Sequence, residues 1–344
     1  MKTRIKLKPV SSQVIVITGA TSGIGLTTAR RAAKQGAKVF LISRNGDALE
    51  QIAQRINAEG GHADFAVADV ADAQQLQNAA DKAIARFGVF DTWVNNAGIS
   101  IYGTSEQVPV EDQRRLFETN FWGVVNGSLI AAKHLKQHGG ALINLGSELS
   151  DVAVPLQGAY SASKHAVKGY TDALRVELQH EGAPISVTLI KPAGIDTLFV
   201  QHAKNYLDKE PKLPQPVYAP DIVAEAILHA AAHQERDIYI GGAARITAAS
   251  AHHAPRTTDA MMRRFMFSAQ VRGNSLRRNE DNALYSPGAA MRERSGRNGS
   301  VRERSFYTQA RLHKKTSGAV AMGLAGLLLA CVGAIKYKTI PTPA

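Results

Sequence analysis

The stretch "VIVITGATSGIGLTTARRAAKQG", residues 14–36, decides the fold. It begins with a short run of β-branched residues, as expected of a strand that is buried on both faces. Glycines follow the strand, and the segment then takes helical spacing until it stops at Gly36. A strand, a glycine-rich turn and a helix in this order predict a site where backbone N–H groups and a helix N-terminus meet a phosphate.

The same alternation of strand and helix patterns continues along the chain. Further buried strands are predicted by the runs "KVFLISR", "ADFAVADV", "FDTWVNNAG", "GALINLGS", "SVTLIKPAG" and "DIYIG", and helical segments lie between them. This repeated alternation predicts an α/β fold, a doubly wound, Rossmann-like parallel sheet with helices on both faces. A ligand crevice is then expected at the carboxyl ends of the strands.

Charge is distributed unevenly over the 344 residues. The formal net charge is +12, and the part after Ile240 holds 17 Lys and Arg residues against 5 Asp and Glu residues, so the whole excess lies there. The single cysteine, Cys331, excludes an internal disulfide and a cysteine-based zinc site, and we expect no metal. The basic start of the chain precedes an apolar run that is too short for a signal peptide.

Four parts are predicted along the chain. Residues 1–242 are predicted to form a single domain built on this sheet and its phosphate site, and residues 243–271 to form a helical extension. In that extension Met262, Phe265 and Met266 share one helical face, which we expect to pack on the domain rather than lie on a membrane. Residues 272–316 are rich in Arg, Asn, Gly and Ser and predict a basic, disordered linker.

The fourth part is the uncharged run "SGAVAMGLAGLLLACVGAI", residues 317–335. As a helix it is roughly 28 Å long, close to the thickness of the hydrocarbon core of a bilayer. With lysines on both sides it predicts a transmembrane helix that contacts membrane lipid and anchors a cytoplasmic catalytic domain. The alternative is a buried helix in a cytoplasmic protein.

The second predicted strand ends at Ser43 and Arg44, where dinucleotide folds often place an acidic residue that binds the adenosine ribose. A small polar residue followed by arginine suits a 2′-phosphate instead, because a guanidinium makes forked, charge-assisted contacts. The pair therefore predicts NADP as the cofactor. An exposed arginine at a strand end is the alternative interpretation.

A second informative stretch is "YSASKHAVKGY", residues 160–170. Tyr160 and Lys164 are four residues apart, and so lie on one face of a helix, one turn from each other. A phenol beside a cation is either a surface contact or a proton donor next to a charge that lowers its pKa.

From about Val14 to Ile240 the chain resembles the short-chain dehydrogenase/reductase family. The resemblance rests on an ordered series: TGATSGIG at residues 18–25, Asp69, NNAG at 95–98, Asn120, Ser147, YSASK at 160–164 and PAGIDT at 192–197. It implies an NADP-dependent oxidoreductase that interconverts a carbonyl and an alcohol by hydride transfer.

The resemblance also implies four catalytic residues. Tyr160 would act as general acid and base, with Lys164 lowering its pKa and holding the nicotinamide ribose. Ser147 would donate a hydrogen bond to the substrate carbonyl oxygen. Asn120 would hold the water that relays protons to Lys164.

The resemblance further implies a set of residues around the cofactor. They are Thr18, Gly19, Thr21, Ser22, Gly23, Ile24, Gly25, Ser43, Arg44, Asp69, Val70, Asn95, Ala97, Gly98, Tyr160, Lys164, Pro192, Ala193, Ile195 and Thr197. Two positions depart from the family pattern. Ala193 stands where glycine is usual, and Glu148 follows Ser147 where a small residue is commoner, either contacting a polar substrate or facing solvent.

Two other functions are each compatible with part of the sequence. The alternative to an enzyme is a non-catalytic dinucleotide-binding redox sensor that signals through its basic tail, but a sensor has no need of the four catalytic residues together. Nucleic-acid binding by the tail would explain the charge, yet the tail lacks interleaved aromatic residues, and we expect no nucleic-acid partner.

The substrate is expected to be a small, lipophilic carbonyl or alcohol. The apolar stretch at residues 152–156 would line its pocket, and residues 201–218, stiffened by prolines, would form a variable lid. Family members commonly pair subunits through the helices that carry Asn120 and Tyr160, so the resemblance implies a homodimer or homotetramer.

Overall fold

The computed structural model describes residues 5–275, 282–288 and 291–313. In chain order its strands are β1 (Val14–Thr18), β2 (Lys38–Ser43), β3 (His62–Val67), β4 (Thr92–Asn95), β5 (Ile101–Tyr102), β6 (Gly140–Leu145), β7 (Ile185–Pro192), β8 (Lys204–Asn205), β9 (Lys209–Pro211), β10 (Val217–Tyr218), β11 (Asp237–Ile240), β12 (Val271–Ser275) and β13 (Val301–Arg302).

Helices alternate with these strands. They are α1 (Gly23–Lys34), α2 (Gly46–Ala58), α3 (Ala73–Phe87), α4 (Val110–Phe117), α5 (Gly123–His138), α6 (Gly158–His180), α7 (Phe199–His202), α8 (Pro220–Ala232), α9 (Gly242–His253), α10 (Pro255–Met261), α11 (Phe267–Ala269) and α12 (Phe306–Leu312). Two π-helical segments, Glu118–Trp122 and Met262–Met266, join α4 to α5 and α10 to α11.

Seven strands form the main sheet, in the order β11-β7-β6-β4-β1-β2-β3, and all neighbouring pairs are parallel. Every residue of β1, β6 and β7 is buried, because helices cover both faces of the sheet. The predicted doubly wound, Rossmann-like parallel sheet is confirmed.

Each face of the sheet has its own apolar core. On one face α1, α2 and α8 contribute Leu26, Leu49 and Ile227. On the other face α3 and α5 contribute Leu76 and Leu135, together with part of α6. Because the strands are parallel and neighbouring, β1, β2, β4, β6 and β7 all end at one edge of the sheet, where the loops of the candidate site begin.

The chain after β11 packs back onto this body as α9, α10 and α11. Met262 and Met266, one turn apart, pack against a core cluster that includes Leu149 and Tyr160. Phe265, by contrast, is 57% exposed. The expected packing of this helical face on the domain therefore holds for the two methionines, while the phenylalanine faces solvent.

The prediction of a disordered linker over residues 272–316 is wrong for the described parts of that segment. β13 pairs in parallel with β10, and Leu312 of α12 is buried in the core beside α8. Arg294 forms ion pairs with Asp221 and Glu303 at 3.0 and 2.6 Å. The arginine-rich composition reflects carboxylate partners on the body, and these cannot be seen from the segment alone.

Within residues 5–275, 282–288 and 291–313, no helix is both long enough and apolar enough to cross a membrane. The predicted transmembrane helix, residues 317–335, lies outside the described residues. The boundaries of the four parts therefore stay predictions, although residues 243–271 are largely helical and, like the described parts of 272–316, pack against the body.

Candidate active site

The turn between β1 and α1 is shaped by its glycines. Gly19 and Gly23 have φ angles of +65° and +53°, in the left-handed region that favours glycine. A Cβ atom on Gly25 would lie 2.2 Å from the carbonyl oxygen of Gly19, so a side chain there would prevent the loop from folding back on itself. The tight turn places the N-terminus of α1 at the carboxyl edge of the sheet, as phosphate binding requires.

Three of the four predicted catalytic residues meet at the end of β6. Tyr160 and Lys164 lie one turn apart on α6, and the Lys164 ammonium is 5.7 Å from the centroid of the Tyr160 ring. Its Nζ donates to the carbonyl oxygen of Leu145 at 2.8 Å, which fixes the side chain against β6. Ser147, Tyr160 and Lys164 line one cavity of about 150 Å³.

Burial controls the ionisation of this cavity. It raises the pKa of Tyr160; the hydrogen bond with Ser147 lowers that pKa, and nearby Glu148 raises it further. Burial also lowers the pKa of Lys164 to about 8. The expectation that the pKa of Tyr160 falls below its ordinary value is therefore wrong for this structure, because loss of solvent outweighs the favourable neighbours. The raised pKa favours the protonated phenol.

Glu148 is the least expected group in the cavity wall. It begins the short 3₁₀ helix Glu148–Ser150 that Ser147 caps, with the Ser147 Oγ accepting from the N–H of Leu149 at 3.1 Å. Burial raises the pKa of the Glu148 carboxyl to about 7. Of the two interpretations left open for this residue, the structure favours the pocket over the solvent.

Asn120, the fourth predicted catalytic residue, is fully buried beneath the cavity, inside the π-helical segment Glu118–Trp122. Its Oδ1 accepts from the N–H of Ile99 at 2.8 Å, and its Nδ2 donates to the carbonyl oxygen of Ile99 and to Ser163 Oγ. Such segments often occur at functional sites, since they displace the helix backbone. A role in proton relay stays a prediction.

A second cavity, of about 190 Å³, adjoins the first along the carboxyl edge of the sheet. The two cavities share Ile24, Asn96, Gly98, Thr197 and Phe199, so they form one continuous cleft. The second cavity is lined by most of the predicted cofactor residues: Gly19, Thr21, Ser22, Gly23, Ile24, Ser43, Arg44, Asp69, Val70, Ala97, Gly98 and Thr197. Pro192, Ala193 and Ile195 line the catalytic cavity.

Three predicted cofactor residues take part in packing instead. The Thr18 hydroxyl accepts from the N–H groups of Asn96 and Ala97, and Gly25 packs against Gly19. Asn95 faces the core, where its Nδ2 donates to Asn144 Oδ1 at 2.9 Å and joins β4 to β6. The next residue, Asn96, was missed as a site residue although it belongs to the same NNAG motif.

The side chain of Asn96 holds the glycine-rich turn in place. Its Nδ2 donates to the carbonyl oxygens of Thr18 and Gly19, at 2.9 and 3.1 Å. The NNAG motif therefore does contribute to the cleft, but through Asn96. Successive side chains of a strand point to opposite faces, and the sequence prediction chose Asn95, which points into the core.

Sequence reasoning also missed the part of the chain that covers the second cavity. We call residues 282–288 and 291–297 the covering segment. Ala283, Pro287 and Gly288 line the cavity. Arg44 donates to three carbonyl oxygens of the segment: those of Ala283 at 2.6 Å, Tyr285 at 3.2 Å and Ser286 at 3.3 Å.

Further contacts tie the covering segment to the glycine-rich turn and to α4. The N–H of Gly23, at the start of α1, donates to the carbonyl oxygen of Arg292 at 3.0 Å. Arg115 bridges Asp69 at 2.5 Å and donates through Nε to the carbonyl oxygen of Leu284 at 3.1 Å. The two contacts with the covering segment, Gly23 to Arg292 and Arg115 to Leu284, join residues more than 150 positions apart, so no local motif predicts them.

The arrangement can transfer a proton to an oxygen atom of a bound molecule. A buried phenol, a serine hydroxyl and an ammonium group surround one cavity, and a glycine-rich cleft suited to a dinucleotide opens into it. Within the described residues, no group of three or more His, Cys, Asp or Glu side chains could hold a metal ion.

Comparisons with known proteins agree with this geometry. Residues 13–207 match the family model described as short chain dehydrogenase. The chain is 45% identical over 327 residues to the uncharacterized oxidoreductase YxnA of Bacillus subtilis, which covers 94% of this chain and 92% of that protein. An alignment of this length necessarily includes much of the extension after residue 242.

Two solved structures share the fold. A short-chain dehydrogenase/reductase from Burkholderia phymatum in complex with NAD has a TM-score of 0.65 and 24% identity, over 75% of this chain and 96% of that one. A gluconate 5-dehydrogenase from Burkholderia cenocepacia in complex with NADP and tartrate has a TM-score of 0.60 and 26% identity, over 71% of this chain and 98% of that one.

Proposed function

The chain belongs to the short-chain dehydrogenase/reductase family, and from this premise we propose that it is an NADP-dependent oxidoreductase that interconverts a lipophilic carbonyl compound and its alcohol. The observation that carries the proposal is the meeting of Ser147, Tyr160 and Lys164 in one cavity that opens into the glycine-rich cleft. We infer that Tyr160 is the general acid for reduction and the general base for oxidation.

The residues divide the chemistry between them. A bound nicotinamide dinucleotide supplies or accepts the hydride. The Ser147 hydroxyl holds the carbonyl oxygen, and Tyr160 gives that oxygen a proton as negative charge develops on it. The Lys164 ammonium, held by the carbonyl oxygen of Leu145, stabilises the phenolate left behind. Asn120 lies directly beneath and completes the proposed relay to solvent.

The cleft fits a dinucleotide. The cavity beyond the glycine-rich turn is lined by Gly19 and Gly23 of that turn and by hydroxyl residues such as Thr21 and Ser22, a lining that suits a pyrophosphate. The two solved structures hold NAD and NADP, so the choice of NADP rests on Arg44 and on the absence of an acidic residue at the end of β2. Arg44 lines the cavity, although the covering segment also uses its guanidinium.

We retain two further proposals from the sequence. The uncharged run 317–335 would attach the protein to a membrane with its catalytic domain in the cytoplasm, and α5 and α6 would pair subunits into a homodimer or homotetramer. Because Leu312 is buried in the core, a chain that ends at His313 removes the run and leaves the described fold complete. Carbonate-washed membranes should retain the full-length protein and release the shortened one; light scattering gives the number of subunits.

The proposed activity is tested by following oxidation of NADPH by purified full-length protein in the presence of ketones and aldehydes of graded size. Consumption that depends on the carbonyl compound, and that is faster with NADPH than with NADH, is the expected result. Tight binding of NADPH with no turnover of any carbonyl or alcohol would favour the redox sensor instead.

A further inference from the structure

A third cavity, of about 350 Å³, lies beside the catalytic cavity. Six described residues line both: Glu148, Leu149, Val154, Ala193, Pro214 and Met266. A wall shared by this many side chains means that a molecule held at Tyr160 needs only to pass Glu148 and Leu149 to enter the third cavity.

The far side of the third cavity is built by the extension. α9 contributes Ala243 and Ile246, and α10 with the π-helical segment after it contributes Met261, Met262 and Phe265. All five side chains are apolar, and none belongs to residues 13–207, which the family model matches.

The hydroxyl groups in this cavity are already occupied. Thr247 donates to the carbonyl oxygen of Ala243 at 3.0 Å, and Ser250 donates to that of Thr247 at 2.8 Å. Thr258 donates to the carbonyl oxygen of Ala254 at 3.1 Å. Because each hydroxyl is bonded within its own helix, the lining favours an apolar guest over a polar one.

The cavity has an apolar rim at the protein surface. Ile246, Met261 and Phe265 are 71%, 56% and 57% exposed. A cluster of large apolar side chains exposed to water at an opening indicates a place where an apolar molecule enters. Exposing these side chains does not stabilise the fold, so their clustering points to binding.

The extension is fixed firmly to the catalytic wall. Gln270 donates to the carbonyl oxygen of Pro155 at 2.8 Å, and its Oε1 accepts from Gln157 Nε2 at 2.7 Å. Met266 packs in the cluster that contains Tyr160. The third cavity therefore keeps a constant position relative to the phenol, as a specific subsite must.

We propose that the third cavity is a subsite for the apolar chain of the substrate, which we assign as a long-chain aliphatic ketone or the corresponding secondary alcohol. This inference rests on the proposed function and names its substrate class. The carbonyl lies at Tyr160, the chain passes Glu148, and its end lies among Met261, Met262 and Met266 of α10 and the π-helical segment after it. Burial raises the pKa of Glu148 to about 7, so a neutral carboxyl is available beside the chain near neutral pH.

The first experiment is a series of methyl ketones from butan-2-one to dodecan-2-one, with full-length protein and NADPH. We expect kcat/KM to rise roughly two- to fourfold for each added CH₂ until the cavity is full, since each buried CH₂ is worth about 0.8 kcal/mol at most. A profile that stays flat from the shortest to the longest ketone, with all of them reduced, overturns the subsite and leaves the proposed function standing.

The second experiment fills the cavity. Thr247→Trp places a large ring in it, whereas Ala260→Trp adds the same ring at an exposed position of α10 and is the matched control. Thr247→Trp should abolish most of the gain with chain length, and Ala260→Trp should keep it. Circular dichroism and NADPH fluorescence show whether each variant is folded; if Thr247→Trp is not, Ser250→Leu replaces it.

A binding measurement separates the two proposals if no ketone is reduced. Wild-type protein is loaded with the apolar dye 8-anilinonaphthalene-1-sulfonate and titrated with dodecan-2-one. Displacement from wild type and Ala260→Trp, but not from the filled variant, supports the subsite even where the proposed function has failed. Equal displacement from all three proteins overturns it.

Discussion

The two ends of the cleft are assembled in different ways. At the catalytic end, Ser147, Tyr160 and Lys164 come from one strand end and one helix, within 18 positions of one another. At the adenosine end, Arg44 and Gly23 are bonded to the covering segment, more than 200 positions later in the chain. The first arrangement can be predicted from the spacing of nearby residues, whereas the second depends on how the whole chain folds.

The catalytic side chains and the cover of the second cavity therefore come from different parts of the chain. The mechanism proposed for the catalytic end needs a proton donor near a cation, and one turn of helix places Tyr160 beside Lys164. At the proposed adenosine end a distant segment covers the edge of the sheet, and its backbone carbonyl groups accept from Arg44. Variants of the two ends should therefore differ in kind: the first should change turnover, and the second should change cofactor affinity and stability.

The largest effect is expected at the catalytic end. Tyr160→Phe removes the proton donor, and turnover should fall by about 10² to 10⁴ while NADPH binding, measured by fluorescence, stays nearly unchanged. Tyr170→Phe on the same helix is the matched control, since its hydroxyl is buried without a partner among the described residues. Turnover of Tyr160→Phe within a few-fold of wild type would remove this residue from the mechanism.

Glu148 gives the next effect, on stability. Burial raises its pKa from 4.5 to about 7, so the folded state favours the neutral acid. Wild type is fully stabilised by this group only below pH 4.5 and loses that contribution as the pH rises through 7. Glu148→Gln does not titrate, and should exceed wild type by roughly 2–3 kcal/mol at pH 8 but match it at pH 4.

Urea unfolding at both pH values measures this difference. Glu106→Gln, at an exposed position, is the control and should follow wild type throughout. If the free energies of unfolding of Glu148→Gln and wild type differ by the same amount at both pH values, the carboxyl is solvated in the folded protein.

A variant of Arg44 tests the proposed adenosine end. This side chain holds the covering segment and is also proposed to bind the 2′-phosphate of NADP. Arg44→Ala should weaken NADPH binding by about 1.5–3 kcal/mol, through loss of a charged hydrogen bond to the 2′-phosphate. It should weaken NADH binding less, through loss of its bonds to the covering segment alone. Arg55→Ala, exposed on α2, is the control. Equal losses for the two cofactors would assign Arg44 to holding the covering segment only.

The smallest effect is expected from the ion pairs that hold the covering segment. Arg294 bonds Asp221 and Glu303, and Glu303 raises the pKa of its guanidinium. Because the three side chains are partly exposed, Arg294→Ala should cost only about 1 kcal/mol of stability. Cleavage of the segment by trypsin should become faster than in wild type or in the exposed control Arg304→Ala. An unchanged rate would show that apolar contacts alone retain it.

Local pattern was sufficient to predict the sheet and to select Ser147, Tyr160 and Lys164, which the structure brings to one cavity. Strand periodicity, the glycine-rich turn and the four-residue spacing of Tyr160 and Lys164 each depend on neighbours along the chain. Two errors have other physical causes. The ionisation of Tyr160 depends on burial, which is a property of the folded cavity, and Asn95 and Asn96 could not be told apart before the facing of β4 was known.

The covering segment was beyond sequence reasoning for a different reason. Its arginines and glycines have the composition of a disordered linker, and its order comes from carboxylates and strand edges elsewhere in the chain. Arg294 forms an ion pair with Asp221 at the start of α8, and just beyond the segment Val301 pairs with Val217 of β10. Composition shows how much apolar surface a segment can bury by itself, whereas these contacts depend on carboxylates and strand edges in the rest of the protein.

The bonds between Arg44 and the covering segment also set an order of events during synthesis. Proteins are made from the N-terminus and their domains fold as they emerge, so β1, β2 and the glycine-rich turn leave the ribosome long before residues 282–297. The sheet and its catalytic helix are complete in sequence by β11, while the carbonyl groups that Arg44 contacts arrive afterwards. The nascent enzyme therefore passes through a stage with its dinucleotide cleft open, and closes it only as the last third of the chain is released.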